Sequence, residues 1–282
     1  MNKLGSGCPL CASSRSSLIT KELYDGNEYS IVRCPDCSLV YVEDVQAPNS
    51  PYYSNLDYVD ENLLWLQADH KKEAFRHALK IITKNKKVLN KIIDVGCGTG
   101  GWLTYLVKNR HVDPASCYGF DASRIQADYA RDAFPNIRYA LTIKEYHGYI
   151  GYDNHYDVIT LWDVLEHIRE PIKFMSELVQ QLSKDGVFYL SIPNSLPMLL
   201  KSRLHFPNSW TPNEHVIYYS HKTIRRLCEI VGLEVIKIGS ARVYKRRFSI
   251  FEMIRRVYFV LTSKFTQLSP QIYVMAKKVS EG

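Results

Sequence analysis

One short stretch constrains the fold of this chain more than any other: Lys91 to Leu103, which reads KIIDVGCGTGGWL. An apolar run ends in it, four glycines follow, and an apolar pattern typical of a helix begins at Trp102. Glycine lets the backbone turn sharply and approach a ligand closely, while the N–H groups and the positive dipole end of the helix face whatever binds there. The stretch therefore predicts a strand, a tight turn and a helix, with a ligand site at the turn.

A second apolar run ends in an acid, Asp121, at a suitable distance downstream of the glycines. An acid at the carboxyl end of a strand beside a glycine turn is placed to accept hydrogen bonds from the two hydroxyls of a ribose. The alternative is that Asp121 caps the helix that starts near Ser123. Its position at the end of the strand favours the ligand.

Composition limits the class of protein. The chain has 282 residues, of which 46% are hydrophobic, enough for one large domain and a small module. A net charge of +7 permits contact with nucleic acid or an anionic membrane surface without requiring either. We find no spanning apolar run and no signal-peptide core, and therefore expect a cytoplasmic protein. In that compartment Cys97, Cys117 and Cys228 are expected to be reduced, buried thiols.

The N-terminal segment carries a metal-binding pattern. Two C-x-x-C pairs, Cys8 with Cys11 and Cys34 with Cys37, supply four thiolates for a tetrahedral, structural zinc ion. A redox dithiol or two disulfides are the alternatives, and the cytosolic setting and the doubled Cys-Pro-x-Cys pattern disfavour them. Alternating apolar residues around the pairs predict a small β zinc ribbon. We assign residues 1–45 to the ribbon, 46–59 to a linker and 60–282 to the main domain.

A hexapeptide that begins at Asp163 follows the predicted strand Tyr156 to Trp162. In it Asp163, Glu166 and His167 are spaced to share one face of a helical turn. Asp163 and Glu166 fit a capping box before a helix that Pro171 starts. Equally, His167 fits a general base, and the three residues together fit a metal-binding face.

Three further segments complete the expected architecture. A helix from Asp60 to about Thr83 precedes the glycine turn. The stretch from Pro193 to Pro212 is predicted to be an irregular, substrate-facing loop, and it leads to His215, a second candidate base. A basic run beside apolar residues at helical spacing predicts an amphipathic insert at 241–266. Through 242–265 this insert could lie on an anionic membrane, cap the substrate cleft or form a dimer surface.

Over about residues 60–279 these motifs in this order resemble the class I S-adenosylmethionine-dependent methyltransferases. The resemblance rests on the run from Asp94 to Gly100, Asp121, the hexapeptide and the final apolar strand. It implies an α/β fold, a Rossmann-like seven-stranded sheet with an antiparallel last strand, next to the small N-terminal β zinc ribbon. It also implies S-adenosylmethionine as cofactor, with the glycines around its methionine part and Asp121 on its ribose. The implied cofactor-binding residues are Asp94, Gly96, Cys97, Gly98, Gly100, Trp102, Asp121, Ala122, Trp162 and Asp163.

The resemblance departs from the family pattern after the third strand. The family often has an acid or Asn there to contact the adenine, whereas this chain has Leu141, Thr142 and Ile143. Backbone groups are therefore expected to serve instead.

The ribbon, the Leu-Glu-His-Ile turn and the segment Asn213 to His215 resemble a bacterial subgroup, methyltransferase type 11 or type 23, whose members methylate sugars, glycans and small metabolites. This implies O-methylation, with His167, His215 and Glu166 as candidate catalytic residues. Asp163, Glu166, His167 and His215 also resemble the divalent-ion site of small-RNA terminal 2'-O-methyltransferases, which implies a second metal ion.

Three other functions remain open at this point. C-methyltransferases of deoxysugars carry a similar ribbon but are longer at the C-terminus. One group of ribosomal RNA methyltransferases begins with a cysteine zinc module, although its second pair ends in histidine where this chain has Cys37. A non-catalytic scaffold built on the ribbon and the basic insert is the third. The expected partner is a small molecule or glycan, with RNA and a membrane surface as further possibilities.

Overall fold

The computed structural model describes residues 7–24, 26–43, 63, 69–110, 112–151, 155–203, 210–240 and 269–279. The predicted linker at 46–59 and the predicted insert at 241–266 lie outside the described residues. In the described part no helix is long and apolar enough to cross a membrane.

The described chain alternates between strands and helices after an all-β start. Its strands are β1 (Ser17–Tyr24), β2 (Asn27–Arg33), β3 (Val40–Glu43), β4 (Ile92–Val95), β5 (Cys117–Asp121), β6 (Asn136–Tyr139), β7 (Tyr156–Trp162), β8 (Leu182–Pro193), β9 (Ile217–Tyr218), β10 (Leu233–Ser240) and β11 (Gln271–Lys278). Its helices are α1 (Asp69–Asn85), α2 (Gly101–Arg110), α3 (Arg124–Arg131), α4 (Ile143–Ile150), α5 (Pro171–Gln180), α6 (Ser195–Arg203) and α7 (His221–Ile230).

The larger sheet has seven strands in the order β10-β11-β8-β7-β4-β5-β6. Strands β4 to β8 pair in parallel, and β11 pairs antiparallel with both β8 and β10. This confirms the Rossmann-like sheet with an antiparallel last strand. Helices connect the parallel strands, so the central strand β4 is buried along its whole length. The order reverses beside β4, which places the glycine turn at the crevice where such sheets bind ligands.

The smaller sheet has four antiparallel strands in the order β1-β2-β3-β9. The first three come from the N-terminal ribbon, as its alternating pattern predicts. The fourth, β9, comes from the chain beyond β8, far away in sequence. Apolar packing follows this pairing, because Val32 and Leu39 of the ribbon belong to one buried cluster with Ile217 and Tyr219.

The helix predicted from Asp60 to about Thr83 is observed as α1, and most of its predicted first part lies outside the described residues. The prediction of an irregular loop from Pro193 to Pro212 was wrong for its first half, where α6 forms. Asn194 Oδ1 accepts the Leu196 N–H at 3.1 Å at the start of this helix. Pro197 falls in the first turn, where its missing N–H costs nothing. Residues typical of loops therefore serve a helix N-terminus here.

The three remaining cysteines are buried and free of disulfides, as expected. Cys117 and Cys228 have no exposed surface, and Cys97 is 6% exposed. They act as small apolar side chains in the core.

Candidate functional site

The glycine turn joins β4 to α2 at the carboxyl edge of the larger sheet. Gly96, Gly98 and Gly100 have φ angles of +68°, +52° and +79°, in the left-handed region that favours glycine. A Cβ on Gly96 would collide with the side chain of Val164, so the turn packs directly against the chain after β7. The Gly96 N–H donates to the Phe120 carbonyl at 2.9 Å. The turn is thus fixed between β5 and the segment that follows β7.

Asp121, at the end of β5, contacts the glycine turn from the opposite side. Its Oδ2 accepts the Gly98 N–H at 2.8 Å, and its Oδ1 accepts the Ser123 N–H at 2.7 Å. Burial raises the pKa of Asp121, and these two N–H groups oppose the rise. Ser123 caps α3, because its side chain accepts the Gln126 N–H. Asp121 is therefore not the helix cap, and the exposed Ala122 follows it at the rim.

Asp94 and Cys97, two other predicted cofactor residues, have buried side chains. Asp94 is 2% exposed and accepts a hydrogen bond from Thr160 Oγ1 at 2.6 Å, which ties β4 to β7. Burial raises the pKa of Asp94 well above its usual value, and the charge of Asp121 adds to the rise. Burial also raises the pKa of the Cys97 thiol. Neither side chain supplies a charged or nucleophilic group at the surface of the turn.

Trp102 and Trp162 form an aromatic cluster with Phe75 of α1. The ring centroids of Trp102 and Trp162 are 5.2 Å apart. The ring centroid of Phe75 lies 5.3 Å from that of Trp102 and 4.9 Å from that of Trp162. Both indole Nε1 atoms are buried without a hydrogen-bond partner in the described structure. The cluster supports the start of α2, and it holds two donors that a bound ligand or water could use.

Asp163 belongs to an ion-pair network that the sequence did not reveal. Its carboxylate accepts from Lys71 Nζ at 2.9 Å and from Gln271 Nε2. Its φ of +54° is uncommon for a residue other than glycine. The predicted capping box is wrong, because residues Leu165–His167 form a single 3-10 turn that no side chain caps. Lys71 and Gln271 lie on α1 and β11, far from Asp163 in sequence, and no motif marks them.

Glu166, His167 and His215 come together beside this network. One ligand atom from each residue lies within 4.8 Å of the other two. The rings of His167 and His215 meet edge to face, with centroids 4.9 Å apart. His167 Nδ1 donates to the carbonyl of Glu214 at 2.8 Å. The structure thus joins the two histidines predicted as bases, and it leaves Asp163 outside this group.

The electrostatics of the Glu166 cluster favour neutral imidazoles. Burial, with a smaller contribution from the charge of His167, lowers the pKa of His215 to about 4. Burial also lowers the pKa of His167. Glu166 is 1% exposed, and among the described residues neither of its buried carboxylate oxygens has a hydrogen-bond partner. Burial raises the pKa of Glu166 well above its usual value. A buried carboxylate without a partner is costly, so this cluster is a place where a polar ligand or cation would be stabilising.

The four N-terminal cysteines converge as predicted. Cys8 Sγ lies 3.4 Å from Cys37 Sγ, and Cys11 Sγ lies 3.6 Å from Cys34 Sγ. A disulfide would place two sulfurs about 2 Å apart. Thiolates around one tetrahedral zinc ion, each about 2.3 Å from the metal, lie roughly 3.8 Å apart. Although burial acts to raise it, backbone N–H groups of Cys37 and Asp36 lower the pKa of Cys34 to about 7. The donor set therefore fits zinc.

Comparison with known proteins now decides the family. A sequence profile described as "Methyltransferase domain" matches residues 65–238, more than half of the chain. The chain belongs to this methyltransferase family. No curated protein sequence matches it.

Solved structures of S-adenosylmethionine-dependent methyltransferases share the fold of this methyltransferase. One from Archaeoglobus fulgidus is 18% identical, with a TM-score of 0.53, over 79% of this chain and 100% of that chain. One from Clostridium acetobutylicum is 13% identical, with a TM-score of 0.52, over 79% and 98%. The plantazolicin methyltransferase BpumL, in complex with a pentazolic desmethylPZN analog and SAH, is 18% identical, with a TM-score of 0.55, over 82% and 94%. At these identities the likeness shows the fold alone.

Proposed function

We propose that this methyltransferase transfers the methyl group of S-adenosylmethionine to a hydroxyl group of a sugar, glycan or small metabolite. One contact carries the proposal: Gly96 of the glycine turn packs against Val164, and Val164 lies two residues before Glu166. The expected donor site and the Glu166 cluster are therefore neighbours at one edge of the sheet. A site for the methyl donor beside buried histidines suits transfer to an alcohol, which must lose its proton.

On the donor side, the glycine backbone and Asp121 would hold the methionine part and the ribose. The donor supplies an electrophilic methyl group on a sulfonium. The chain's own residues orient it, and holding both reactants at contact distance contributes much of the rate in an in-line displacement. At the described rim after β6, Leu141 is 59% exposed, and its N–H donates to Glu145 Oε2 at 2.8 Å. A backbone group other than this N–H would therefore contact the adenine.

On the acceptor side, we propose that His215 or His167 takes the hydroxyl proton. His215 Nδ1 is buried and has no hydrogen-bond partner among the described residues, and neutral imidazole has a lone pair for this role. Glu166, beside both rings, would stabilise the imidazolium that forms. The low pKa of His215 makes it a weak base by itself, so a bound acceptor and a charged Glu166 are needed to raise that pKa.

A second candidate mechanism replaces the base with a divalent ion held by Glu166, His167 and His215. The observation that favours it is the Glu166 carboxylate, whose two buried oxygens find no hydrogen-bond partner in the part of the chain that the structure describes. One carboxylate and two imidazoles suit transition ions such as Zn²⁺ or Mn²⁺. Such an ion would lower the pKa of a bound acceptor hydroxyl. Asp163, the fourth predicted ligand, is instead engaged by Lys71 and Gln271.

We further propose that the four cysteines hold a structural zinc ion, whose closed ligand set leaves no position for a substrate. The cytoplasmic location and the contact of 242–265 with an anionic membrane stay predictions.

Methyl transfer from labelled S-adenosylmethionine to a panel of sugars, glycans, peptides and bulk RNA tests the acceptor class. We expect His215→Ala to lower kcat by roughly 10²- to 10⁴-fold while the affinity for S-adenosylhomocysteine stays unchanged. His155→Ala, which alters an exposed histidine, is the matched control. Salt-sensitive methylation of RNA would support the ribosomal RNA alternative instead. Transfer to a sugar carbon would identify a C-methyltransferase. If the protein bound neither S-adenosylmethionine nor S-adenosylhomocysteine, the non-catalytic scaffold would be supported instead.

Metal binding separates the two mechanisms. In zinc-loaded protein, added Mn²⁺ should raise the Tm if Glu166 ligates an ion, and Glu166→Gln should abolish that increase. If added Mn²⁺ changed neither the Tm nor the activity, the mechanism with a histidine base would be supported.

A further inference from the structure

The ribbon and the Glu166 cluster share one short segment, residues 214–219. On one side this segment pairs with β3: Tyr41 lies opposite Ile217 and Val40 opposite Tyr218. The Val42 N–H donates to the Val216 carbonyl at 2.9 Å, which extends the pairing toward His215. The ribbon sheet therefore ends on the strand that follows a candidate catalytic histidine.

On the other side, the same segment is bonded to the turn that carries Glu166. The Val216 N–H donates to the carbonyl of Glu166 at 2.9 Å, and His167 Nδ1 donates to that of Glu214 at 2.8 Å. Val216 thus bonds to Val42 through its carbonyl and to Glu166 through its N–H. This one residue links the ribbon to the cluster by two backbone hydrogen bonds.

Side-chain packing strengthens this connection on both faces of the small sheet. One buried cluster includes Cys34, Leu39 and Ile217, so the cysteine site and β9 share a core. On the opposite face, Val40 and Val42 pack with Trp210 and Tyr218, whose rings meet edge to face at 4.6 Å. A two-residue strand has too few bonds of its own to stay in place, so β9 depends on β3 for its position.

We propose that the ribbon is a positioning element of the acceptor site, which holds His215 and Glu166 in place through Val216. The proposal rests on the proposed function only in assigning the acceptor to the Glu166 cluster. The donor site, built on β4 and β5, shares a buried apolar cluster with the ribbon, but no backbone hydrogen bond among the described residues joins the two. Loss of the ribbon's metal should therefore loosen residues 214–219 and leave the glycine turn intact.

Two variants at one position isolate the link. Val42→Pro removes the N–H that Val216 accepts, while Val42→Ala keeps that N–H and shortens the side chain. Neither variant changes a cysteine of the ribbon or a side chain of the Glu166 cluster. Leu18→Pro, on the exposed far edge of the same sheet, controls for proline in the ribbon.

Hydrogen exchange in the full-length, zinc-loaded protein measures the effect. In Val42→Pro we expect residues 165–168 and 214–219 to exchange at least about fivefold faster, with residues 92–103, the zinc content and the affinity for S-adenosylhomocysteine unchanged. Chelated wild-type protein should show the same regional pattern, and Val42→Ala and Leu18→Pro should resemble wild type. With an identified acceptor, Val42→Pro should lower kcat and leave the KM for S-adenosylmethionine unchanged.

The proposal would be overturned if residues 214–219 exchanged at the wild-type rate in both Val42→Pro and the chelated protein. It would also be overturned if exchange at residues 92–103 were accelerated as much as exchange at residues 214–219. The exchange readout needs no acceptor, so it stands apart from the proposed function. If His215→Ala keeps full activity while Val42→Pro loosens residues 214–219, the proposed role of His215 as the base fails and the coupling remains.

Discussion

The donor site is tested most directly by removing the Asp121 carboxylate. This group accepts the N–H of Gly98 at 2.8 Å and that of Ser123 at 2.7 Å. Hydrogen bonds to a charged group contribute about 1.5–3 kcal/mol each, but burial of the carboxylate offsets part of that sum. We therefore expect Asp121→Ala to lower the free energy of unfolding by about 1–3 kcal/mol, and the Tm by about 2–4 °C for each kcal/mol.

The effect on ligand binding should be larger than the effect on stability. At a hundred times its Kd, S-adenosylhomocysteine stabilises the wild type by about 2.7 kcal/mol. Losing two ribose hydrogen bonds of about 1.5 kcal/mol each would weaken binding about a hundredfold, since 1.4 kcal/mol is a factor of ten. The same ligand concentration then stabilises Asp121→Ala by only about 0.4 kcal/mol. Ligand-induced Tm shifts, measured by calorimetry or fluorescence, should fall by most of their wild-type size.

Asp113→Ala is the matched control, because Asp113 Oδ1 also accepts a backbone N–H, that of Ala115 at 2.8 Å, but lies on the exposed surface. It should cost a little stability and leave the ligand-induced shift intact. If Asp121→Ala retained a wild-type shift, the assignment of the ribose to Asp121 would be refuted.

Two further predictions concern buried charges near the same edge. Lys71→Met should lower the free energy of unfolding, measured in urea, by about 1–3 kcal/mol, because it leaves the partly exposed carboxylate of Asp163 without its ammonium partner. Adding Asp163→Asn should recover part of that loss. If the effects of the two substitutions on the free energy of unfolding were strictly additive, the ion pair would not contribute as proposed. Asp94 has a raised pKa in the folded protein, so its contribution to stability is present below the unfolded value near 4 and is lost as pH rises through the folded value. Asp94→Asn, which can still accept from Thr160, should therefore be more stable than wild type in urea at pH 8 and lose that advantage toward pH 4; an equal difference at both pH values would contradict this explanation.

Local patterns predicted those parts of the fold in which neighbouring residues decide the conformation. The strand β7 was predicted with its observed bounds, because it is rich in apolar and β-branched residues and the polar His155 and Asp163 flank it. The segment after Pro193 was misread, because its Pro, Asn and Ser residues suit both a loop and a helix start. Contact with Tyr219 selects the helix: the Ser195 N–H donates to the carbonyl of Tyr219 at 2.7 Å.

The candidate site divides in the same way. Asp121 and the glycines could be predicted because strand ends and backbone turns have sequence signatures. Lys71 and Gln271 could not, because a single lysine on a helix and a glutamine at a strand start carry no signature. Their role depends on the long-range pairing that brings α1 and β11 beside Asp163.

The sequence was enough to predict individual strands, the glycine turn and a four-cysteine ribbon, because periodicity, glycine turns and ligand spacing are local properties of the chain. The Rossmann-like sheet was implied by the resemblance of these motifs, in their order, to a methyltransferase family. How the two parts join was decided by the tertiary structure. Strand β9 has only two residues, so its own sequence is too short to carry a pattern, and it becomes a strand because β3 offers it hydrogen bonds. The long-range bond from the Val216 N–H to the Glu166 carbonyl brings His215 beside Glu166, and the pairing with β3 joins the ribbon to the same segment.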